Sequence, residues 1–290
     1  MIDSSKNTPS KGWICLDIDG TLTDEILSIP NAVLNTLKEL HHNHWKIVFV
    51  TGRLFTLGYK VLETLDFPYY FVPQNGASWY KMPSKKMGGK RYLSLETFFE
   101  LEPLLQNTSL DFLLVSGIEN GDQCFYRPDH LAIETHEYFR DHLSKYAGNW
   151  KAVSSFNQIE VKEFPYGKIY GFKEELEILL PKLQQHSSIQ THLVEDSARK
   201  NFFIIQIMRP DVNKGSAVLE ILKNDTLSNP IISAGNDLND ETLLEIADIK
   251  IVMSGSPKLL LDMADIIAPP VEKYGIIKAL KIAVKQAEDQ

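Results

Sequence analysis

Two carboxylates one residue apart, Asp17 and Asp19, are the side chains of this sequence best suited to chemistry. They follow the apolar run Trp13–Leu16 and precede Gly20 and Thr21, a pattern that predicts a buried strand ending in a tight loop. Neighbouring carboxylates repel each other unless a cation or a proton offsets their charge. The pair therefore favours a site for a divalent metal ion. The alternative is a simple Asp-Gly turn.

Three later segments place polar side chains at the same kind of position. Each follows an apolar strand or begins a helix, and the carboxyl ends of parallel strands meet at one edge of a sheet. We therefore expect residues that are far apart in sequence to converge at that edge. The residues concerned are Thr51, Gly52, Arg53, Lys214, Asn236, Asp237, Asn239 and Asp240.

The side-chain types at this expected site complement one another. Carboxylate and amide oxygens suit Mg²⁺, while a hydroxyl group and a lysine at a helix N-terminus suit a phosphoryl group. Such a set supports phosphoryl transfer by covalent catalysis. Asp17, at the strand end, suits the nucleophile, and Asp19 suits the acid and base. Taken singly, Thr51, Arg53 and Lys214 also fit structural roles as a helix cap, an ion-pair partner and a surface residue.

The elements that would position these residues alternate between strands and helices in the first and last thirds of the chain. This alternation predicts an α/β fold with a doubly wound, Rossmann-like parallel sheet. The middle of the chain has an α+β order that predicts a second domain. We expect a core of residues 1–80 and 203–290 and an inserted domain of residues 81–202. The predicted core elements are strands at Trp13–Leu16, Trp45–Val50, Tyr69–Val72, Ile231–Ala234, Ile249–Met253 and Ile266–Ala268, and helices at Phe55–Leu65, from Asn213 and from Tyr274.

Four of these segments resemble, in order, the motifs of the haloacid dehalogenase (HAD) superfamily. The large insertion between the second and third motifs resembles the Cof-like branch with its α/β cap. The resemblance implies a Mg²⁺-dependent phosphatase that forms an aspartyl-phosphate and acts on a small phosphorylated metabolite, with sugar phosphates as the leading class. The segments are Asp17-Ile-Asp19-Gly-Thr21, Thr51-Gly-Arg53, Asn213-Lys214-Gly215 and Gly235-Asn-Asp-Leu-Asn-Asp240, with Asn75-Gly76-Ala77 before the insertion.

The same resemblance implies roles for single residues. It makes Asp17 the nucleophile and Asp19 the acid and base, with the backbone carbonyl of Asp19 turned to the metal. The last motif would complete the metal site. The implied phosphate-binding residues are Thr51, Gly52, Arg53 and Lys214, and the implied metal-site residues are Asp17, Asp19, Asn236 and Asp237, supported by Asn239 and Asp240.

One position departs from the family pattern. The last motif usually reads Gly-Asp-x-x-Asn-Asp, and here Asn236 stands where the first Asp is expected. Either the Asn236 amide oxygen coordinates Mg²⁺ with lower affinity, or the loop turns so that Asp237 serves; the register favours Asn236. A non-catalytic or weakened binding protein is a further interpretation. A phosphomutase or phosphotransferase would use the same chemistry with another acceptor, although Asp19 favours a hydrolase.

Composition narrows the classes of partner. The 290-residue chain carries a formal net charge of −8, which argues against a nucleic-acid binder. No segment reaches the apolar length of a membrane span, and Met1–Lys11 is polar, so we expect no membrane partner and a cytoplasmic location. Cys15 and Cys124 lack metal-ligand spacing. The sequence does not predict an oligomeric state.

Overall fold

The computed structural model describes residues 10–24, 28–143, 149–196, 199–225 and 230–289 of the chain. Most of the polar N-terminal stretch considered above, Met1–Pro9, lies outside them. Within these ranges, no helix is both long enough and apolar enough to span a bilayer.

The strands and helices of these ranges are numbered in chain order. The strands are β1 Gly12–Asp17, β2 Trp45–Val50, β3 Tyr69–Val72, β4 Ser78–Met82, β5 Lys86–Lys90, β6 Leu93–Ser94, β7 Phe112–Val115, β8 Gln123–Tyr126, β9 Asn149–Ala152, β10 Glu163–Phe164, β11 Tyr166–Phe172, β12 Gln190–Glu195, β13 Phe202–Met208, β14 Ile231–Gly235, β15 Ile249–Met253 and β16 Ile266–Ala268. The helices are α1 Asn31–His42, α2 Phe55–Leu62, α3 Leu95–Leu101, α4 Ile133–Tyr138, α5 Lys173–Leu183, α6 Lys214–Asn224, α7 Glu241–Glu245, α8 Lys258–Met263 and α9 Gly275–Glu288.

The chain divides into two compact units. The core unit contains residues 1–53, 58–89 and 213–290, and the inserted unit contains residues 54–57 and 90–212. These bounds differ from the predicted division at both edges. β5 extends the core sheet although it follows residue 81, and β13 pairs with β11 and β12 of the inserted unit although most of it follows residue 203. The apolar run of β13 fits any buried strand, so its local sequence does not say which sheet it joins.

An eight-stranded sheet forms the core unit, in the order β16-β15-β14-β1-β2-β3-β4-β5. β1 pairs in parallel with β2 and β14, and the parallel pairing continues outward to β3 on one side and through β15 to β16 on the other. β4 runs antiparallel to β3. The predicted α/β class with a large parallel sheet is therefore confirmed.

β1 is the centre of the core unit, and all six of its residues are buried. Trp13 and Cys15 pack in one cluster with Val218 and Ile221 of α6. A central strand of a parallel sheet is covered on both faces, which explains its continuous apolar run in place of a polar and apolar alternation. This run ends at Asp17, so the first carboxylate of the sequence motif lies at the carboxyl end of the central strand.

The inserted unit has a hydrophobic core of its own. Its main sheet has the order β12-β13-β11-β7-β8-β9, and β6 pairs separately with β10. Phe112 of β7 and Ile205 of β13 belong to a buried cluster that also contains Phe98 of α3 and Leu176 of α5. An independent core of this kind is what the sequence predicts for a separate domain.

Candidate functional site

Strand register brings the candidate segments of the core unit to one edge of the sheet. Asp17 pairs in register with Val50, the residue before Thr51, and Leu16 pairs with Ala234, the residue before Gly235. The chain leaves β1 towards β2 but leaves β14 towards β15, on the opposite side. Diverging connections of this kind open a crevice at the carboxyl ends of the strands.

Lys214 is the centre of a buried ion-pair cluster in this crevice. Its Nζ lies 2.6 Å from Asp17 Oδ1 and 2.5 Å from Asp240 Oδ1, and all three side chains are almost completely buried. Lys214 is the first residue of α6 because the Asn213 side chain accepts a hydrogen bond from the Ser216 backbone N–H at 2.7 Å and caps the helix. One ammonium group thus joins the ends of three separate chain segments.

The charges of this cluster perturb each other strongly. Burial, together with the Asp240 carboxylate, raises the pKa of Asp17 to about 8, although Lys214 opposes the shift. Burial by itself lowers the pKa of Lys214, but the carboxylates of Asp17 and Asp240 outweigh it and raise that pKa above the ordinary value. Lys214 is therefore a permanent cation beside a carboxylate that is costly to ionise, an arrangement typical of functional sites.

Asp19 lies beside this cluster and is half exposed. Its carboxylate accepts hydrogen bonds from Arg53 Nε at 3.0 Å and from Thr51 Oγ1 at 3.3 Å. Arg53 Nη2 also forms an ion pair with it. Thr51 and Arg53 thus hold the second carboxylate of the motif from the end of β2, while the Gly52 between them passes close to Asn75.

In the loop after β14, Asp240 holds the loop's own backbone, whereas the Asn236 side chain contacts the loop after β1. Asp240 is buried, and its Oδ2 accepts hydrogen bonds from the backbone N–H groups of Asn236 and Asp237 at 2.9 and 3.0 Å. Asp237 is exposed, and its carboxylate accepts from the Leu238 N–H at 2.7 Å. The Asn236 side chain lies instead beside Thr21, at 3.0 Å from its Oγ1. Asn236 and Asp237 are the two candidate metal ligands of this loop. These contacts place only Asn236 beside the loop that follows β1, which is called the β1 loop below.

Two further residues join this site that the sequence motifs do not assign a role. Thr21 is completely buried and contacts the Asn236 amide. Asn75, at a φ of 53°, accepts a hydrogen bond from the Asn239 amide at 3.2 Å. The Asn75-Gly76 dipeptide is the sequence signal for this contact, because these residue types tolerate positive φ at a sharp turn.

A sequence model of haloacid dehalogenase-like hydrolases matches residues 14–280. The chain belongs to this family. Among curated proteins, none matches the sequence of this HAD-like hydrolase.

Solved structures share the fold of this HAD-like hydrolase. A haloacid dehalogenase-like hydrolase from B. subtilis is 17% identical, with 93% of this chain and 98% of that chain covered and a TM-score of 0.72. A HAD-superfamily phosphatase from Bacteroides thetaiotaomicron is 19% identical, with 96% and 98% covered and a TM-score of 0.72. A sugar phosphatase of HAD subclass IIB is 20% identical, with 93% and 98% covered and a TM-score of 0.70. The sequence-based prediction of the superfamily is confirmed.

The oxygens of this HAD-like site suit a hard cation. Asp17 Oδ2, the Asp19 carbonyl oxygen and Thr21 Oγ1 all lie within 3.1 Å of one atom of the Asn236 amide. Oxygen donors that converge on one point are the ligands that Mg²⁺ accepts. No cluster of three His, Cys or carboxylate side chains suited to a metal occurs in the described ranges. A metal here would therefore depend on a single carboxylate, a backbone carbonyl and an amide.

Gly215 controls how closely α6 approaches α7, and hence where Lys214 lies. A Cβ atom at this position would lie 2.1 Å from the Thr242 carbonyl oxygen. We expect Gly215→Ala to push the helices apart, to lower the free energy of unfolding by about 1–3 kcal/mol and to reduce kcat. Urea denaturation and initial rates measure the two effects. Lys223→Ala, at an exposed position of α6, is the matched control. Wild-type stability of the Gly215 variant would contradict the expectation.

Proposed function

We propose that this chain is a Mg²⁺-dependent phosphatase that hydrolyses a small phosphorylated metabolite through an aspartyl-phosphate on Asp17. The observation that carries the proposal is the buried contact of 2.6 Å between Lys214 Nζ and Asp17 Oδ1 at the end of the central strand. A nucleophilic carboxylate needs an adjacent fixed cation, because negative charge accumulates on the phosphoryl oxygens in the transition state. Lys214 supplies that charge without reorganisation.

The proposed reaction has two steps, and both use residues of the core unit. A carboxylate oxygen of Asp17 attacks phosphorus, the ester P–O bond breaks, and Asp19 gives a proton to the leaving oxygen. Asp19 then takes a proton from water, whose oxygen attacks phosphorus and releases inorganic phosphate and free Asp17. Thr51 and Arg53, which hold Asp19 in the resting structure, are the proposed contacts for the phosphoryl group.

The residues proposed to hold Mg²⁺ are Asp17, Asp19 through its carbonyl oxygen, and Asn236. The bound ion would offset charge on the phosphoryl oxygens. Asp237 stays the alternative ligand of the sequence interpretation, but its carboxylate is exposed and caps the turn at Leu238. Asn239 and Asp240 support the loop, and the charge of Asp240 is balanced by Lys214.

One structural neighbour is a sugar phosphatase, which supports sugar phosphates as the leading class here. We propose that the core unit performs the hydrolysis and that the inserted unit acts as the family's cap. A phosphomutase or phosphotransferase would share the first step. A protein that binds phosphorylated ligands with weakened or no turnover is favoured by one observation, the neutral residue at position 236.

Hydrolysis of p-nitrophenyl phosphate during a Mg²⁺ titration tests the proposal. We expect saturable, Mg²⁺-dependent release of p-nitrophenol that EDTA abolishes, followed by selective phosphate release from a panel of sugar phosphates and nucleoside monophosphates. Phosphate release in the presence of sugar acceptors separates hydrolysis from phosphoryl transfer. Binding of sugar phosphates without any turnover, at every Mg²⁺ concentration, would overturn the phosphatase and favour the binding protein.

A further inference from the structure

The Asn236 side chain faces three oxygen atoms at the end of β1 and in the loop that follows it. Its nearest neighbours on one side are the Asp19 carbonyl oxygen and Asp17 Oδ2, together with the Thr21 hydroxyl. An amide oxygen placed there would meet acceptors only at the first two positions, whereas an amide nitrogen can donate to them. With Nδ2 on this side, the distances to these three oxygens are 2.6, 3.1 and 3.0 Å, respectively.

The environment keeps the amide at this point. The Asn236 backbone N–H is held by the Asp240 carboxylate at 2.9 Å. Gly20, at a φ of +74°, leaves room for the side chain, since a Cβ atom there would lie 2.5 Å from one amide terminus and 2.9 Å from Cγ. A half-turn about the last side-chain bond would exchange the two ends of the amide without moving the group from this point.

We propose that the Asn236 amide group is an internal substitute for the metal ion. In the metal-free protein its NH₂ group donates hydrogen bonds to the oxygens that would otherwise coordinate Mg²⁺. These hydrogen bonds connect the loop after β1 to the loop after β14. Mg²⁺ binds after the amide turns over and presents its oxygen. This inference rests on the proposed Mg²⁺ site and adds a metal-free state that is assembled in advance.

Charge explains why asparagine and aspartate should behave differently here. A carboxylate at position 236 would add a second negative group beside Asp17 Oδ2 and the Asp19 carbonyl oxygen, so a cation would be needed to offset the repulsion. An amide removes one negative charge and supplies donors of its own. Mg²⁺ must then displace the hydrogen bonds of the NH₂ group, and it meets one negative charge less than with an aspartate, so its affinity is lower.

Asn236→Asp and Asn236→Ala test the proposal without any substrate. Thermal unfolding is measured in EDTA and in saturating MgCl₂, and Mg²⁺ affinity is measured by calorimetry. We expect the wild-type Tm to change little between the two buffers. Asn236→Asp should unfold at a clearly lower temperature in EDTA, recover in MgCl₂, and bind Mg²⁺ on the order of tenfold more tightly. Asn236→Ala should lose Tm in EDTA and recover less. Asn157→Asp, exposed and in the inserted unit, is the charge control.

A direct readout is the side-chain NH₂ signal of Asn236 in a ¹⁵N-labelled sample, identified by its absence in Asn236→Asp. We expect slow hydrogen exchange of this group in EDTA and faster exchange with MgCl₂. An Asn236→Asp protein that matches the wild-type Tm in EDTA, or an NH₂ group that exchanges freely in EDTA, would overturn the proposal. Neither measurement depends on turnover, so an inactive protein with these properties would refute the phosphatase and leave the amide substitute standing.

Discussion

Asp17→Asn is expected to abolish hydrolysis, with kcat on p-nitrophenyl phosphate falling by about 10³-fold or more. The amide is isosteric with the carboxylate, but its oxygen is too weak a nucleophile to form the acyl phosphate. The variant should remain folded, because Asn fits the same volume and removes a charge whose burial raises the pKa of Asp17. Initial rates at saturating Mg²⁺ measure the loss, and thermal unfolding measures the retained fold.

The matched control for this variant is Asp129→Asn, which makes the same chemical change at an exposed residue of the inserted unit. It should retain the wild-type rate when it is purified in the same way. Wild-type turnover by Asp17→Asn would mean that Asp17 is not the nucleophile or that a contaminating phosphatase produces the signal. An activity that is lost equally in Asp129→Asn would trace the loss to handling of the protein.

Lys214→Met is expected to cause the largest loss of stability among these variants, about 3–5 kcal/mol in the free energy of unfolding. Lys214 is 1% exposed, and its removal would leave Asp17 and Asp240 buried without their shared cation. Activity should be lost as well, since the same ammonium group is proposed to contact the phosphoryl oxygens. Urea denaturation followed by circular dichroism measures the stability, and Lys223→Met on the exposed face of α6 is the control.

The stability loss of Lys214→Met should also depend on pH. Burial and the Asp240 carboxylate already raise the folded-state pKa of Asp17, and Lys214 opposes that shift, so removing the cation raises this pKa further and the folded protein holds a proton that the unfolded chain has released. Stability then falls as the pH rises from the unfolded pKa towards the folded one. We expect the difference from wild type to be smaller near pH 5 than near pH 8. A difference that grows on acidification would contradict the uncompensated carboxylates.

Local sequence patterns predicted most of the core sheet. The strands Trp45–Val50, Tyr69–Val72, Ile249–Met253 and Ile266–Ala268 have the predicted bounds. Their apolar runs are short and contain many β-branched or aromatic residues, and such runs form strands wherever both faces are buried. α2 ends at Leu62, three residues earlier than predicted. Helix ends depend on capping contacts more than on periodicity, which explains this kind of difference.

Strand partners are the part of the fold that the local patterns could not supply. β13 has an apolar sequence that suits either unit, and only its pairing with β11 and β12 assigns it to the inserted unit. β5 contains two glycines, a residue type that is rare in strands, yet it extends the core sheet. Strand pairing depends on residues that are distant in sequence. For this reason the bounds of the two units differ from the edges predicted at residues 81 and 203.

For the candidate site, the sequence by itself determined the residue types, their order and the strand ends that carry them. The resemblance to the family rests on these three properties, because short motifs at strand ends are local features. Tertiary structure decided which of these groups are in contact. Lys214 forms ion pairs with both Asp17 and Asp240, and Arg53 forms one with Asp19. The Asn236 amide lies beside the loop after β1, whereas Asp237 is exposed to solvent. The physical reason is that charge pairing and amide orientation depend on distances across the sheet edge, and those distances exist only once β1, β2 and β14 lie side by side.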